Sequence, residues 1–178
     1  MTKQQGRHAE VSALLMRELE LVRDPLDQCE LWMELAKSAG AAGDAAGAGA
    51  ALEEIHKLDP ERVEVIEKLV KAHEGRDQAK HLRYMEELLA FKEKKKDAQA
   101  LRELYLRLGA AYAADQKRDK SFNMYQKLVA LDDAFIPAWQ AMADHFIREA
   151  QWDQARLMLE EALERAARQK DAPRAAGT

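Results

Sequence analysis

The chain has one cysteine, Cys29, in 178 residues, so no internal disulfide can form. It has little that favours strands: Val, Ile and Thr together occur 12 times against 22 leucines, with only eight glycines and four prolines. That balance argues against a sheet protein. It lacks an excess of one charge, having 28 basic and 32 acidic residues and a formal net charge of −4. A nucleic-acid binder would favour a strongly basic chain, so none is expected. The residues after Met1 are polar with no apolar core of a signal peptide behind them, so no secretory leader is expected. The apolar runs fall far short of the roughly 20 residues of a membrane-spanning helix, so no membrane insertion is expected. These absences together point to a soluble protein of a reducing compartment, the cytoplasm.

What remains is charge and helix-forming apolar residues. Charged residues make up 34% of the chain and apolar ones 47%; the charged share exceeds the usual ~25%. This combination suits exposed helices that each carry one apolar stripe. The length suffices to bury roughly 70% of the unfolded surface in a compact fold.

The chain also repeats itself. Tyr105, Leu108, Gly109, Tyr112, Ser121, Tyr125 and Leu128 each stand 34 residues before Trp139, Met142, Ala143, Phe146, Ala155, Leu159 and Ala162. Upstream, Trp32, Leu35, Ala36, Gly43, Ala48, Leu52, Ile55 and Pro60 take the same relative places. Within each unit, the large residue, the next apolar one and the aromatic fall at i, i+3 and i+7, one face of a helix. A small residue beside the middle one (Ala36, Gly109, Ala143) and another opening the second helix (Ala48, Ser121, Ala155) let paired helices approach closely. A recurring unit of this length implies helix pairs stacked on copies of themselves.

These residues resemble the tetratricopeptide repeat. The match covers 29–62, 102–135 and 136–169, with Pro60 where that family often has proline and Asp133 and Ala167 departing from it. The resemblance implies an all-α fold, a right-handed α-solenoid of stacked antiparallel helix pairs, with about four repeats plus an N-terminal helix. The expected divisions are 1–28 as a capping helix or half-repeat, repeats at 29–62, 63–101, 102–135 and 136–169, and a disordered tail at 170–178. Repeat 63–101 is degenerate: His73 replaces the aromatic, Gly75-Arg76-Asp77 turns early, and Ile66 to Tyr105 spans 39 residues instead of 34. The excess is expected near 91–97, as a lengthened second helix or a longer loop. Residues 8–23 form an amphipathic helix with Val11, Leu14, Leu15, Leu19 and Val22 on one face, broken by Asp24-Pro25. No cap for the last helix follows Gln169, so an apolar outer face there would suggest a contact between copies or with another domain.

Reaction chemistry finds little support, and the chain is expected not to be an enzyme. None of the five histidines sits in a His-Glu-x-x-His or Cys/His pattern, so no metal or cofactor is expected. His73 and His81 are read as a fortuitous pair. Gly40, Gly43, Gly47 and Gly49 suggest a phosphate loop, but no strand precedes them and no Gly-Lys-Ser/Thr follows. Gly43 is expected at a turn needing positive φ, and the Ala/Gly excess in a loosely packed second helix. Cys29 opens a helix, which can activate a thiol, but burial is the usual fate of such a cysteine. Trp152 lies in the last turn between helices and is expected to be partly exposed, either packing over the turn or marking a contact point.

In the tetratricopeptide family the first helices of successive units line a concave groove. By that resemblance the groove-facing places fall on Met33, Lys37, Glu67, Lys68, Lys71, Leu106, Arg107, Ala110, Gln140, Asp144, Ile147 and Arg148; helix periodicity also sets them away from the buried stripe. The lining mixes apolar anchors with cations, which suits a protein or peptide carrying an acidic segment. The carboxylate clamp of the chaperone-binding subgroup is not reproduced, since of its places only Arg107 matches. The expected function is a non-catalytic adaptor that binds a peptide or helix of a partner protein. The alternative is a self-assembling module, or a fragment of a larger solenoid, using its uncapped end helices.

Overall fold

The computed structural model describes residues 3–175. Those residues form nine helices and no strand: α1 Lys3–Leu21, α2 Pro25–Ala41, α3 Ala45–Leu58, α4 Val63–His73, α5 Gln78–Lys95, α6 Ala98–Ala114, α7 Arg118–Leu131, α8 Ile136–Arg148 and α9 Trp152–Ala175. The chain divides into two compact units, one up to Phe91 and one from Lys92. Each is a stack of helix pairs joined by connections too short for anything but antiparallel neighbours.

In the first unit, Asp24 ends one helix and starts the next. Its carboxylate accepts from the backbone N–H of Leu26 and Asp27 at 2.8 and 3.3 Å, and Pro25 occupies the first turn, where its missing N–H costs nothing. Asp44 caps α3 in the same way through Gly47 N–H at 2.8 Å. Helices α2 and α3 pack on each other, α1 on α2 and α3 on α4. Ile55, Ile66, Leu69 and Met85 lose all their exposed surface, each burial worth about 1.5–3 kcal/mol. Helix α4 has only 11 residues and stops before Gly75, whose φ is +69°. Helix α5 then runs for 18 residues where α3 and α7 have 14, so the late start of the following unit is taken up as helix.

In the second unit, α6 packs on α7, α7 on α8 and α8 on α9. Leu108, Leu128, Ala138 and Ala143 are fully buried. Gly109 faces the ring of Tyr125 so closely that a Cβ would lie 2.9 Å from it. Ser121 closes the same junction by donating to the Gly109 carbonyl at 2.8 Å. Trp139 donates its indole N–H to Asp133 O at 2.9 Å, and the Arg165 guanidinium covers its ring at 4.4 Å. Gln169 donates to Ala134 O at 2.6 Å, so α9 fastens the linker before α8.

Four helices end alike. Asp44 N–H donates to Ala39 O at 2.9 Å, Asp97 to Lys92 O at 3.3 Å, Lys117 to Tyr112 O at 2.9 Å and Gln151 to Phe146 O at 2.9 Å. The preceding residues Gly43, Lys96, Gln116 and Ala150 all have positive φ, between +54° and +79°. This is the left-handed helix stop with its six-to-one bond. Only Gly43 adopts it free of the Cβ penalty.

Three regions noted in the sequence take definite form. Trp152, the first residue of α9, is 65% exposed. On α1 only Leu15 of the apolar face is buried, with Val11 and Leu14 exposed, since a single neighbouring helix covers a narrow stripe. Helix α9 continues through Ala175, past the point where a disordered tail is expected; residues 176–178 of that tail lie outside the described residues.

Candidate functional site

The candidate groove residues sit on α2, α4, α6 and α8, the first helices of their pairs. In the first unit Met33 and Glu67 are half-buried, while Lys37, Lys68 and Lys71 are exposed. Lys68 Nζ on α4 lies 3.5 Å from Met33 Sδ on α2. Two residues 35 apart in sequence therefore share one patch of surface. In the second unit Leu106 and Arg107 are half-buried, and Ala110, Gln140, Asp144, Ile147 and Arg148 are exposed. Arg107 leans along its own helix toward Glu103 at 3.7 Å. Asp144 and Arg148 of α8 join Ala113 of α6 around one cavity.

The histidines do not assemble as a pair. His81 Nδ1 lies 2.8 Å from Val70 O, which ties α5 to α4. His73 instead faces Glu53 on α3, its Nε2 2.9 Å from the carboxylate, and stacks on Tyr84 with centroids 5.5 Å apart. His56 meets the edge of the same ring at 5.6 Å and approaches Glu87 at 3.1 Å. Lys80 reaches Glu53 at 2.6 Å, and that hydrogen bond raises its pKa. Beside this knot, Ala46, Gly49 and Ala50 leave a cavity of about 320 Å³. Glu53, His73 and Lys80 also line it. Sequence reading missed the knot, because its carboxylates come from α3 and α5, far from His73. The one available signal was His73 at a place where the other units have an aromatic.

No group of three or more His, Cys, Asp or Glu among the described residues is placed to hold a metal ion. Cys29 is buried, and burial pushes its thiol pKa up, against a smaller lowering by Arg62. An activated thiolate needs the opposite shift. The glycine-rich stretch forms the end of α2, a turn and the start of α3. In the second unit Tyr105 donates to Glu93 at 2.9 Å, and Lys127 reaches the same oxygen at 2.9 Å. Burial, with help from Glu93, pushes the Tyr105 phenol up to about 12. The Lys127 hydrogen bond holds Glu93 below the usual carboxylate range. Through Glu93 the Tyr105 phenol fastens α6 to α5 and α7. No helix among the described residues is long and apolar enough to cross a membrane.

Antiparallel helix pairs stacked within each unit can be compared with solved structures. One crystal structure of MamA superposes with a TM-score of 0.57, covering 96% of this chain and 98% of that one at 20% identity. The chain is similar in fold to MamA. A second, MamA from strain AMB-1, gives a TM-score of 0.58 with 89% and 82% covered at 17% identity. MamA residues 41 to the end from Desulfovibrio magneticus RS-1 gives 0.52, with 95% and 98% covered at 20% identity. These likenesses establish the helical-repeat solenoid fold, and at such identity they establish the fold alone. No protein-family model matches the chain, and no curated protein sequence matches it.

Proposed function

We propose that the chain is a non-catalytic protein-interaction module of the tetratricopeptide-repeat type. Its units are 29–62, 63–101, 102–135 and 136–169, preceded by a capping helix, and it takes a peptide or helix of a partner protein. The observation that carries this reading is the shared surface of successive first helices: Lys68 against Met33 in one unit, and Ala113 with Asp144 and Arg148 in the other. A ligand laid across either pair of helices meets apolar anchors and cations together. Lys37, Lys68 and Lys71 give the first unit a basic rim, which favours an acidic segment and sets its orientation more than its affinity. A cytoplasmic setting belongs to the same reading and rests on the charge-rich composition and the single buried thiol.

The test is charge reversal one unit at a time. Changing Lys37, Lys68 and Lys71 together to Glu leaves the fold intact, because all three are exposed. Partners captured by the unmodified chain from an extract of its own cell are then measured against the variant. Capture weakened about tenfold or more supports the reading; capture unchanged for this triple variant and for a second-unit reversal, Asp144→Lys with Arg148→Glu, both exposed, defeats it.

A second reading is self-association through the end helices. It is favoured by Leu157, Leu159 and Leu163 on α9, which are 50%, 41% and 70% exposed. Exposed leucines clustered on one helix are unusual for a monomer surface. Light scattering across concentrations decides it: a constant monomer mass removes this reading.

A further inference from the structure

The second unit holds a cavity of about 200 Å³ between α6, α7 and α8. Pockets for drug-sized ligands run to roughly 300–1,000 Å³, whereas a cavity of about 150 Å³ holds benzene. The space therefore suits one ring-sized group. It exists because Ala113 and Ala141, on facing helices, are cut back to a methyl.

Its walls are aromatic and already fixed. Phe122 and His145 stack with centroids 4.6 Å apart, and Phe146 meets the Phe122 ring edge-on at 5.0 Å. The Tyr125 ring lies against Gly109, where a Cβ would come within 2.9 Å of it. A ring entering this space meets the side chains of Phe122, Tyr125 and His145.

The mouth is polar. Arg118 is engaged by Glu149 at 3.1 Å. Arg148 and Asp144 also border the cavity, and among the described residues neither has an ion-pair partner. They stand four apart on α8, one turn along the same face. A partner backbone at this mouth has amide N–H groups that need acceptors, which Asp144 offers, while Arg148 is left for a carboxylate.

The geometry points to this cavity as the anchor pocket for an internal aromatic residue of a partner polypeptide, with an acidic residue beside it for Arg148. It rests on the interaction reading above and narrows it to a ligand chemistry. Buried aromatic anchors surrounded by a polar rim are where interfaces concentrate their energy.

The test uses short peptides blocked at both ends, so that terminal charges play no part. Acetyl-Ala-Phe-Glu-Ala-amide is titrated into the isotope-labelled full chain, alongside versions with Lys for Glu and with Ala for Phe. Saturable shifts at Ala141, Phe122 and His145 are expected at millimolar peptide with the first. Binding about tenfold weaker is expected with the Lys version, and none with the Ala version. Ala141→Leu fills the space and abolishes binding while the melting curve reports that the fold survives. Arg148→Glu, at an exposed position, reverses the Glu-over-Lys preference without touching the core. Absence of shifts with every peptide, equal binding of the Phe and Ala versions, or an unchanged preference in Arg148→Glu overturns the proposal. The first-unit triple reversal reports separately: if it weakens partner capture while the peptides fail, the pocket falls and the interaction module stands.

Discussion

The two units solve one packing problem with different chemistry. Up to Phe91 the helices close over aliphatic side chains, and the one aromatic ring at their centre, Tyr84, is held between two histidines backed by Glu53 and Glu87. From Lys92 onward the close approach comes from a missing side chain: Gly109 accepts the face of Tyr125, and Ala143 is fully buried against its neighbours. The first arrangement centres on a polar cluster with a cavity beside small residues; the second centres on a close glycine–tyrosine contact, with a cavity of its own where Ala113 and Ala141 are small. The same helix-pair plan can thus be specified by charge pairing or by shape, and shape is the more readable of the two.

That contrast can be broken at several points, with effects of decreasing size. Ala143→Arg places a charge where no solvent reaches and is expected to cost about 3–5 kcal/mol, read as a fall in the denaturant midpoint. Leu69→Ala, its counterpart in the first unit, is expected to cost about 2–5 kcal/mol. If two-state unfolding holds, the two losses appear in one transition; separate transitions would mean that the units melt independently. Gly109→Ala is expected to cost about 1–3 kcal/mol through crowding against Tyr125. A neutral result would show that the ring yields.

The left-handed helix stops sharpen the comparison further. Ala150→Gly and Gln116→Gly remove a Cβ from positive φ and are expected to stabilise by about 1 kcal/mol each, while Gly43→Ala destabilises by a similar amount. The smallest effect concerns pH. Because Glu93 has a lowered folded pKa, its contribution is present above the unfolded carboxylate range and is lost as pH falls through the folded value. Glu93→Gln should therefore flatten the acid side of the stability profile. Tyr105 has the opposite sign: its phenol, raised to about 12, favours the fold until pH climbs past the ordinary tyrosine range, and spectroscopic titration should find it among the late phenols, with Tyr84 and Tyr125, which burial also raises.

The helices were legible because their apolar faces recur at fixed spacing, and the 34-residue echo in the second unit placed Tyr105, Gly109 and Tyr112 in the core, where all three are buried. The first unit was less legible. Nothing local in the sequence pairs His73 with Glu53 or His56 with Glu87, since those contacts form only after three helices come together. The positions proposed for partner contact were read from resemblance and from helix phase, and all twelve keep accessible surface. The ring-sized cavity was not legible. It depends on two alanines, Ala113 and Ala141, that look like ordinary helix formers until their surroundings are known.

The helix stops carry one more consequence. Gly43, Gln116 and Ala150 take the same conformation although glycine, glutamine and alanine have nothing chemical in common. What they share is the bond closing behind them, from the next residue back to the last turn of helix. The joint is thus written in the main chain, and its side chain is free to drift. Exchanging only the central residues 43, 116 and 150 among themselves should leave every hairpin intact, at about 1 kcal/mol where glycine is lost, making these corners nearly interchangeable parts for building longer or shorter arrays from the same stock.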